Sequence, residues 1–203
     1  MKTLMTAVCL FFIGYQLSGQ GWQMTTGIHD SIWINDIITV DNYVYAATES
    51  SIFRSDNYGE SWEPKNGGTH PGCAQALSYS GGNIYIASVI GVFISDDYGE
   101  TWFDMPAPEG IYSLVFADDS IIIACSSGGT YRSSDYGYNW TDVGIEPLFK
   151  TAKYQNKYFA DSWSGILVSE DYGLTWESTD ISNTYWVINC SDMIYACPFS
   201  GGL

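Results

Sequence analysis

Short apolar runs alternate with tight polar turns along nearly the whole of this chain. Val-, Ile- and Tyr-rich segments recur at Tyr43-Val-Tyr-Ala46, Ile84-Tyr-Ile-Ala87, Ile121-Ile-Ile-Ala124, Tyr158-Phe-Ala160 and Ile194-Tyr-Ala196. Runs of this length and β-branched content read as strands buried on both faces. The alanines that end them, Ala46, Ala87, Ala124, Ala160 and Ala196, recur at intervals of 41, 37, 36 and 36 residues. Before each run, Asp41-Asn42, Gly81-Gly82, Asp118-Asp119, Gln155-Asn156 and Ser191-Asp192 mark a turn from an earlier strand. Most of these pairs tolerate the positive φ that short hairpins require. A third strand follows at Ile52-Phe53-Arg54, Val92-Phe93-Ile94, Thr130-Tyr131-Arg132 and Ile166-Leu167-Val168.

Each third strand runs into one motif. The four copies are Ser55-Asp-Asn-Tyr-Gly-Glu-Ser-Trp62, Ser95-Asp-Asp-Tyr-Gly-Glu-Thr-Trp102, Ser133-Ser-Asp-Tyr-Gly-Tyr-Asn-Trp140 and Ser169-Glu-Asp-Tyr-Gly-Leu-Thr-Trp176. Their tryptophans lie 40, 38 and 36 residues apart and open a fourth strand. A period near 40 with four short strands per repeat predicts an all-β protein, a β-propeller of four-stranded antiparallel blades. Within the motif, Asn57, Asp97, Asp135 and Asp171 are placed to accept backbone N–H bonds in an Asx-type turn. Gly59, Gly99, Gly137 and Gly173 supply permissive backbone there. Trp62, Trp102, Trp140 and Trp176 are expected to pack between blades.

Trp22 lies 40 residues before Trp62 with no motif ahead of it, so residues 22–27 read as an outer strand that closes the ring. Four full blades follow over about 28–182, then part of a fifth at 183–203. The chain is expected to be a piece of a longer protein whose ring closes with further repeats. Residues 1–20 combine Lys2, an apolar stretch from Leu4 to Tyr15 and small residues near Gly19, the composition of a secretory signal peptide. That stretch is too short for a comfortable membrane span. A secreted or cell-surface location is expected, with no transmembrane span in the mature chain.

Ser-x-Asp-x-Gly-x-x-Trp resembles the Asp box, or BNR repeat, of sialidase-like propellers. Sortilin-type receptors, some xyloglucan hydrolases and photosystem-assembly propellers carry it too. The resemblance covers nearly all of the mature chain. It implies that the boxes, Ser55, Ser95, Ser133 and Ser169 included, build turns between third and fourth strands. They would lie on the face opposite the usual ligand site. Sialidases hold their substrate carboxylate with three arginines; here only Arg54 and Arg132 are present, both on outer strands, which does not support that chemistry.

Charge narrows the partners. Seven Lys plus Arg stand against 23 Asp plus Glu, a net charge of −16. Nucleic acid and anionic membranes require clustered cations and are disfavoured. An extracellular protein or a glycan is the expected partner. His29 and His70 are isolated, and neither a metal-ligand spacing nor a cofactor fingerprint is present, so no metal or cofactor is expected. Cys73, Cys125, Cys190 and Cys197 allow three pairings, and buried free thiols are the preferred reading.

The expected role is a non-enzymatic recognition or scaffold module. The alternative is a glycoside hydrolase, which needs two carboxylates roughly 6.5–9.5 Å apart for inversion. Asp161 stands out because Ala47, Ser88, Cys125 and Cys197 occupy its aligned positions. Glu49, Glu109 and Glu146 are the other acid candidates. Trp33, Trp163, Trp186 and Asp180 lie in or beside the same loops as candidate ligand contacts. A solvated charge or a packing tryptophan is the plainer role for each.

Overall fold

The computed structural model describes residues 25–29, 31–66, 74–118, 120–182, 184–190 and 193–198, with the side chains of 185, 186, 188–190, 197 and 198 excepted. The expected signal-peptide segment, residues 22–24 of the expected closing strand, His70 and Cys73 lie outside the described residues. Thr26, in the described half of that strand, bridges Ser61 of the first box and not the last blade. Among the described residues the chain is all β. Four antiparallel four-stranded sheets form the blades of a β-propeller, and a two-stranded sheet follows them.

Blade 1 holds β1 (Ile34–Val40), β2 (Tyr43–Thr48), β3 (Ile52–Ser55) and β4 (Glu63–Pro64). Blade 2 holds β5 (Ala74–Ser80), β6 (Asn83–Ser88), β7 (Gly91–Ser95) and β8 (Phe103–Met105). Blade 3 holds β9 (Ile111–Phe116), β10 (Ile122–Ser126), β11 (Gly129–Ser133) and β12 (Thr141–Asp142). Blade 4 holds β13 (Leu148–Tyr154), β14 (Lys157–Ser162), β15 (Gly165–Ser169) and β16 (Glu177–Ser178). The fifth sheet pairs β17 (Thr184–Cys190) with β18 (Met193–Pro198). Each fourth strand is short and starts one residue after its tryptophan. Positive φ occurs in the first turns at Asp41, Gly81, Gly82 and Gln155, as the hairpin chemistry predicted.

The second strands of the four blades are largely buried because successive blades pack against one another through them, while the other face of β2 (Val44 and Ala46) is covered by Ile28, Ile32, Ile34 and Ile37. Tyr45 and Ala47 of β2 pack with Ala74, Leu77, Ile84 and Ile86 of blade 2. Tyr85 and Ala87 of β6 pack with Ile111, Leu114, Ile122 and Ala124 of blade 3. Ile123 and Cys125 of β10 pack with Leu148, Tyr158, Ala160 and Leu167 of blade 4. Ala152, Ile166 and Val187 continue the series into the fifth sheet. Polar bonds cross the same seams. Leu77 N donates to Asp36 Oδ2 (2.9 Å), Ser78 Oγ to the Leu114 carbonyl (2.9 Å) and Tyr158 OH to the Ala117 carbonyl (2.6 Å).

The register corrects one alignment. Ser55, Ser95, Ser133 and Ser169 pair with Val44, Ile84, Ile122 and Tyr158. Counting from those pairs, Ala87 aligns with Ala47, Cys125 and Asp161, and Ile86 aligns with Ala46, Ala124 and Ala160. The blade 2 alanine therefore belongs one position later, and Ala87 rather than Ser88 is the counterpart of Asp161. A hydrophobic run offers no internal marker of a one-residue slip, whereas the ladder fixes it.

Candidate functional site

The loops fall into two sets at opposite ends of the strands. At one end, box turns meet the turns between first and second strands. Tyr98 OH donates to Asp41 Oδ2 (3.0 Å), and Tyr136 N donates to the Ser120 carbonyl (3.0 Å). At the other end, second-to-third-strand turns meet the loops that join blades. Gly110 N donates to the Val89 carbonyl and Ser127 N to the Gly110 carbonyl, both 3.1 Å.

The box aspartates spend their acceptor capacity inside the turn. Ser95 Oγ accepts from Gly99 N and donates to Asp97 Oδ1, both at 2.8 Å. Thr101 N donates to Asp97 Oδ1 (2.8 Å) and Thr101 Oγ1 to Oδ2 (2.6 Å). Asp135 with Asn139, and Asp171 with Thr175, repeat the arrangement. In the first box Asn57 Oδ1 still accepts from Ser61 N (3.0 Å), while its Nδ2 donates to Ser61 Oγ (2.8 Å). The direction of that last bond is the reverse of its counterparts, because an amide nitrogen stands where they have a carboxylate oxygen. The three carboxylates are held below the usual aspartate range. At Asp135 the bond from Asn139 leads; at Asp97 and Asp171 burial works upward and the threonine and backbone bonds outweigh it.

One box feature escaped the sequence reading. Tyr58, Tyr98, Tyr136 and Tyr172 all sit in the left-handed region, at φ 59 to 62°. Two of their carbonyls are gripped by the preceding blade. Arg54 Nη1 donates to the Tyr98 carbonyl and Arg132 Nε to the Tyr172 carbonyl, both at 2.9 Å. The two arginines are thus seam clamps. Trp102 Nε1 and Trp140 Nε1 also reach back a blade, to the carbonyls of Lys65 and Pro106 (2.7 Å each). Trp62 and Trp176 bond instead to their own box glycine carbonyls.

The loop end carries the remaining candidates, and blades 3 and 4 bring several together. Trp163 occupies the β14–β15 turn and is 77% exposed. Phe149, at the start of β13, meets it edge-on with ring centroids 4.9 Å apart. Tyr112, at the start of β9, stacks on Phe149 at 6.4 Å. Beside this row, Glu146 Oε1 accepts the hydroxyl of Ser164. Burial raises the Glu146 pKa, but bonds from Ser164 and Ser162 outweigh it and leave the carboxyl below its usual range. Asp161 lies beneath, 2% exposed, and its Oδ1 accepts from Lys150 N (2.6 Å). Desolvation pushes its pKa up to about 6 despite that bond.

The other candidates lie apart from this cluster. Trp33 and Glu49 share blade 1, where Glu49 N donates to the Trp33 carbonyl (3.4 Å). Glu109 is exposed ahead of β9, and Asp180 is exposed after β16. Trp186 lies on β17 opposite Cys197 in the ladder. His29 Nδ1 bonds to Ser31 Oγ (2.9 Å). Cys125 is a buried free thiol whose pKa burial pushes up. Of Cys190 and Cys197 only the backbone is described. Among the described residues no cluster of three His, Cys, Asp or Glu is placed to hold a metal ion, and no helix is long and apolar enough to cross a membrane.

Phe149 and Tyr112 were not singled out in the sequence. Both lie where the ladder of their strand is irregular, with register shifts between Leu148 and Thr151 and opposite Cys125 and Ser126. A bulge breaks the period-2 alternation that would have assigned them a face.

The fold is a β-propeller, and residues 131–143, which include the third box, match the BNR-Asp box repeat family. In all four boxes the glycine N–H donates to the serine Oγ at 2.8 Å. No curated protein matches the sequence. Among solved structures, an ancestral GH74 enzyme is similar at 20% identity and a TM-score of 0.61, covering 70% of this chain and 23% of that one. YCF48 bound to D1 peptide is similar at 19% identity and 0.57, covering 71% and 54%. The extracellular domain of a B. thetaiotaomicron protein described as a hybrid two-component system gives 12% and 0.67, covering 90% and 27%. The chain therefore spans less than a quarter of the GH74 enzyme it matches. These likenesses are ones of fold.

Proposed function

We propose that this chain is part of an exported recognition module that binds an extracellular protein or glycan through the loop end of blades 3 and 4. One observation carries the reading: Trp163 is displayed on a rigid turn, buttressed by Phe149, beside an ionised Glu146. A large exposed indole contributes nothing to the blade core, and variable loops on a rigid scaffold are where binding residues concentrate. The boxes, by contrast, are fully engaged in building their turns.

A hydrolase would need two carboxylates flanking one bond. Asp161 is covered and bonded to backbone, and Glu49 and Glu109 belong to blade 1 and the loop between blades 2 and 3. The test is a screen of the purified protein against immobilised extracellular proteins and glycans, run beside an assay for released reducing sugar. Binding without turnover, weakened by Trp163→Ala, is expected. Turnover that Asp161→Asn abolishes would replace this reading with the hydrolase.

A further inference from the structure

Resting on that reading, we infer that the ligand at this corner is an uncharged glycan whose sugar ring stacks on the face of Trp163. The row Tyr112, Phe149, Trp163 advances from blade 3 to the turn of blade 4, with the outermost ring most exposed. At the position of Trp163 blades 1 to 3 carry Glu49, Val89 and Ser127 on turns of the same length, and the sequence of the fifth repeat has Phe199. Turn chemistry therefore does not demand an aromatic there.

Phe149 and the indole meet at 88° and do not stack face to face, and with Trp163 77% exposed an indole face is open to solvent. An apolar ring face next to hydrogen-bonding groups matches a pyranose, which presents C–H bonds on one side and hydroxyls at its rim. The rim groups are here: the Glu146 carboxylate accepts, and Ser164, already bonded to it, fixes its orientation.

Charge decides between classes of glycan. Glu146 is ionised at neutral pH, and the chain carries −16 overall. Lys150, the cation of this corner, acts on the buried charge of Asp161. A sialylated or uronic-acid ligand would meet net repulsion, whereas neutral hydroxyls find an acceptor. The assembled groups are three rings and a carboxylate, whereas a stable protein interface engages roughly 20–30 residues a side.

The experiment is a binding titration against immobilised neutral oligosaccharides (β-glucan, mannan, xylan and chitin fragments), with sialylated and uronic-acid oligosaccharides as charged counterparts. A panel of extracellular proteins is probed in parallel. Binding to at least one neutral series is expected. Trp163→Ala should weaken it about tenfold or more and Glu146→Gln by about threefold, while Tyr138→Ala at the box end should leave it unchanged. Trp163 is exposed enough that its removal spares the fold, which circular dichroism checks. Binding of charged glycans alone, or of a protein alone, with the same sensitivity to Trp163→Ala would overturn the neutral-glycan inference and leave the recognition module standing. Binding of every class that ignores Trp163→Ala, or no binding at all, would overturn both.

Discussion

Burial sets the chemistry of Asp161, and its sequence position alone could not say so. Ala47, Ala87 and Cys125 fill the same place in blades 1 to 3 and pack against the next blade. A carboxyl at that place loses its water, so the neutral form is favoured and its pKa rises to about 6. The folded state thus holds the proton more tightly than the unfolded chain does. Its contribution to stability is fully present below the ordinary aspartate pKa and is lost as pH rises through about 6. Asp161→Asn keeps an acceptor for Lys150 N and carries no charge. The variant should therefore match the parent near pH 3, below the ordinary aspartate value of 3.8, and be more stable by about 3 kcal/mol at pH 8, the equivalent of roughly two pKa units. Urea unfolding of both proteins across that range measures the difference directly. Taking the difference also cancels the box aspartates, whose lowered pKa values make them act in the opposite sense at lower pH. A difference that stays flat with pH would show that Asp161 is solvated in the folded protein.

The turn between second and third strands is the element that differs most in use from blade to blade. Gly91 and Gly165 occupy the same place in it, with φ of +141° and +126°. Around Gly91 an added Cβ would meet nothing within 4 Å, whereas at Gly165 it would lie 2.4 Å from the Ile181 carbonyl oxygen. That carbonyl accepts from Ile166 N (2.9 Å), so it cannot retreat without breaking a bond that docks the loop leaving blade 4. Gly91→Ala should cost about 1–2 kcal/mol from backbone strain alone. Gly165→Ala should cost about 1–3 kcal/mol more from the clash. Equal shifts in their urea midpoints would mean that the loop around Ile181 yields freely. The same elements show what the sequence discloses and what it hides. The boxes and their spacing disclosed the blades, because Ser, Asp, Gly and Trp each answer a local demand of the turn. The left-handed tyrosines stayed hidden, since nothing local calls for an aromatic at φ near 60°. Two of their carbonyls, those of Tyr98 and Tyr172, are held by Arg54 and Arg132 of the preceding blade, contacts 44 and 40 residues away in sequence. Phe149 and Tyr112 stayed hidden for the related reason that bulges remove the alternation by which a face is read.

At the scale of the molecule two electrostatic effects compete, and their ranges decide the outcome. Seven cations among 23 acids leave a net charge of −16, so the acids repel one another across the whole surface. Against this stands a compact network at the seam of blades 1 and 2. Arg54 reaches Glu63 (2.9 Å) and Glu100 (3.1 Å), and Lys65 reaches the same two acids at 3.0 and 2.7 Å. The two cations are largely covered, with side chains 11% and 13% exposed, while their acids are more than half exposed at 57% and 54%, so salt weakens these short contacts but less than it screens widely separated charges. Repulsion between exposed acids acts over longer distances, where the screening length falls from about 30 Å at 0.01 M to about 8 Å at 0.15 M salt. Added NaCl should therefore raise the melting temperature over that range, even though it weakens the network slightly. Glu100→Gln separates the two effects. It removes one repelling charge and two short attractions at once, so the variant should melt lower than the parent at both salt levels while keeping the upward slope. A melting temperature that falls as salt is added would mean that paired contacts, and not the net charge, dominate the electrostatics of this propeller.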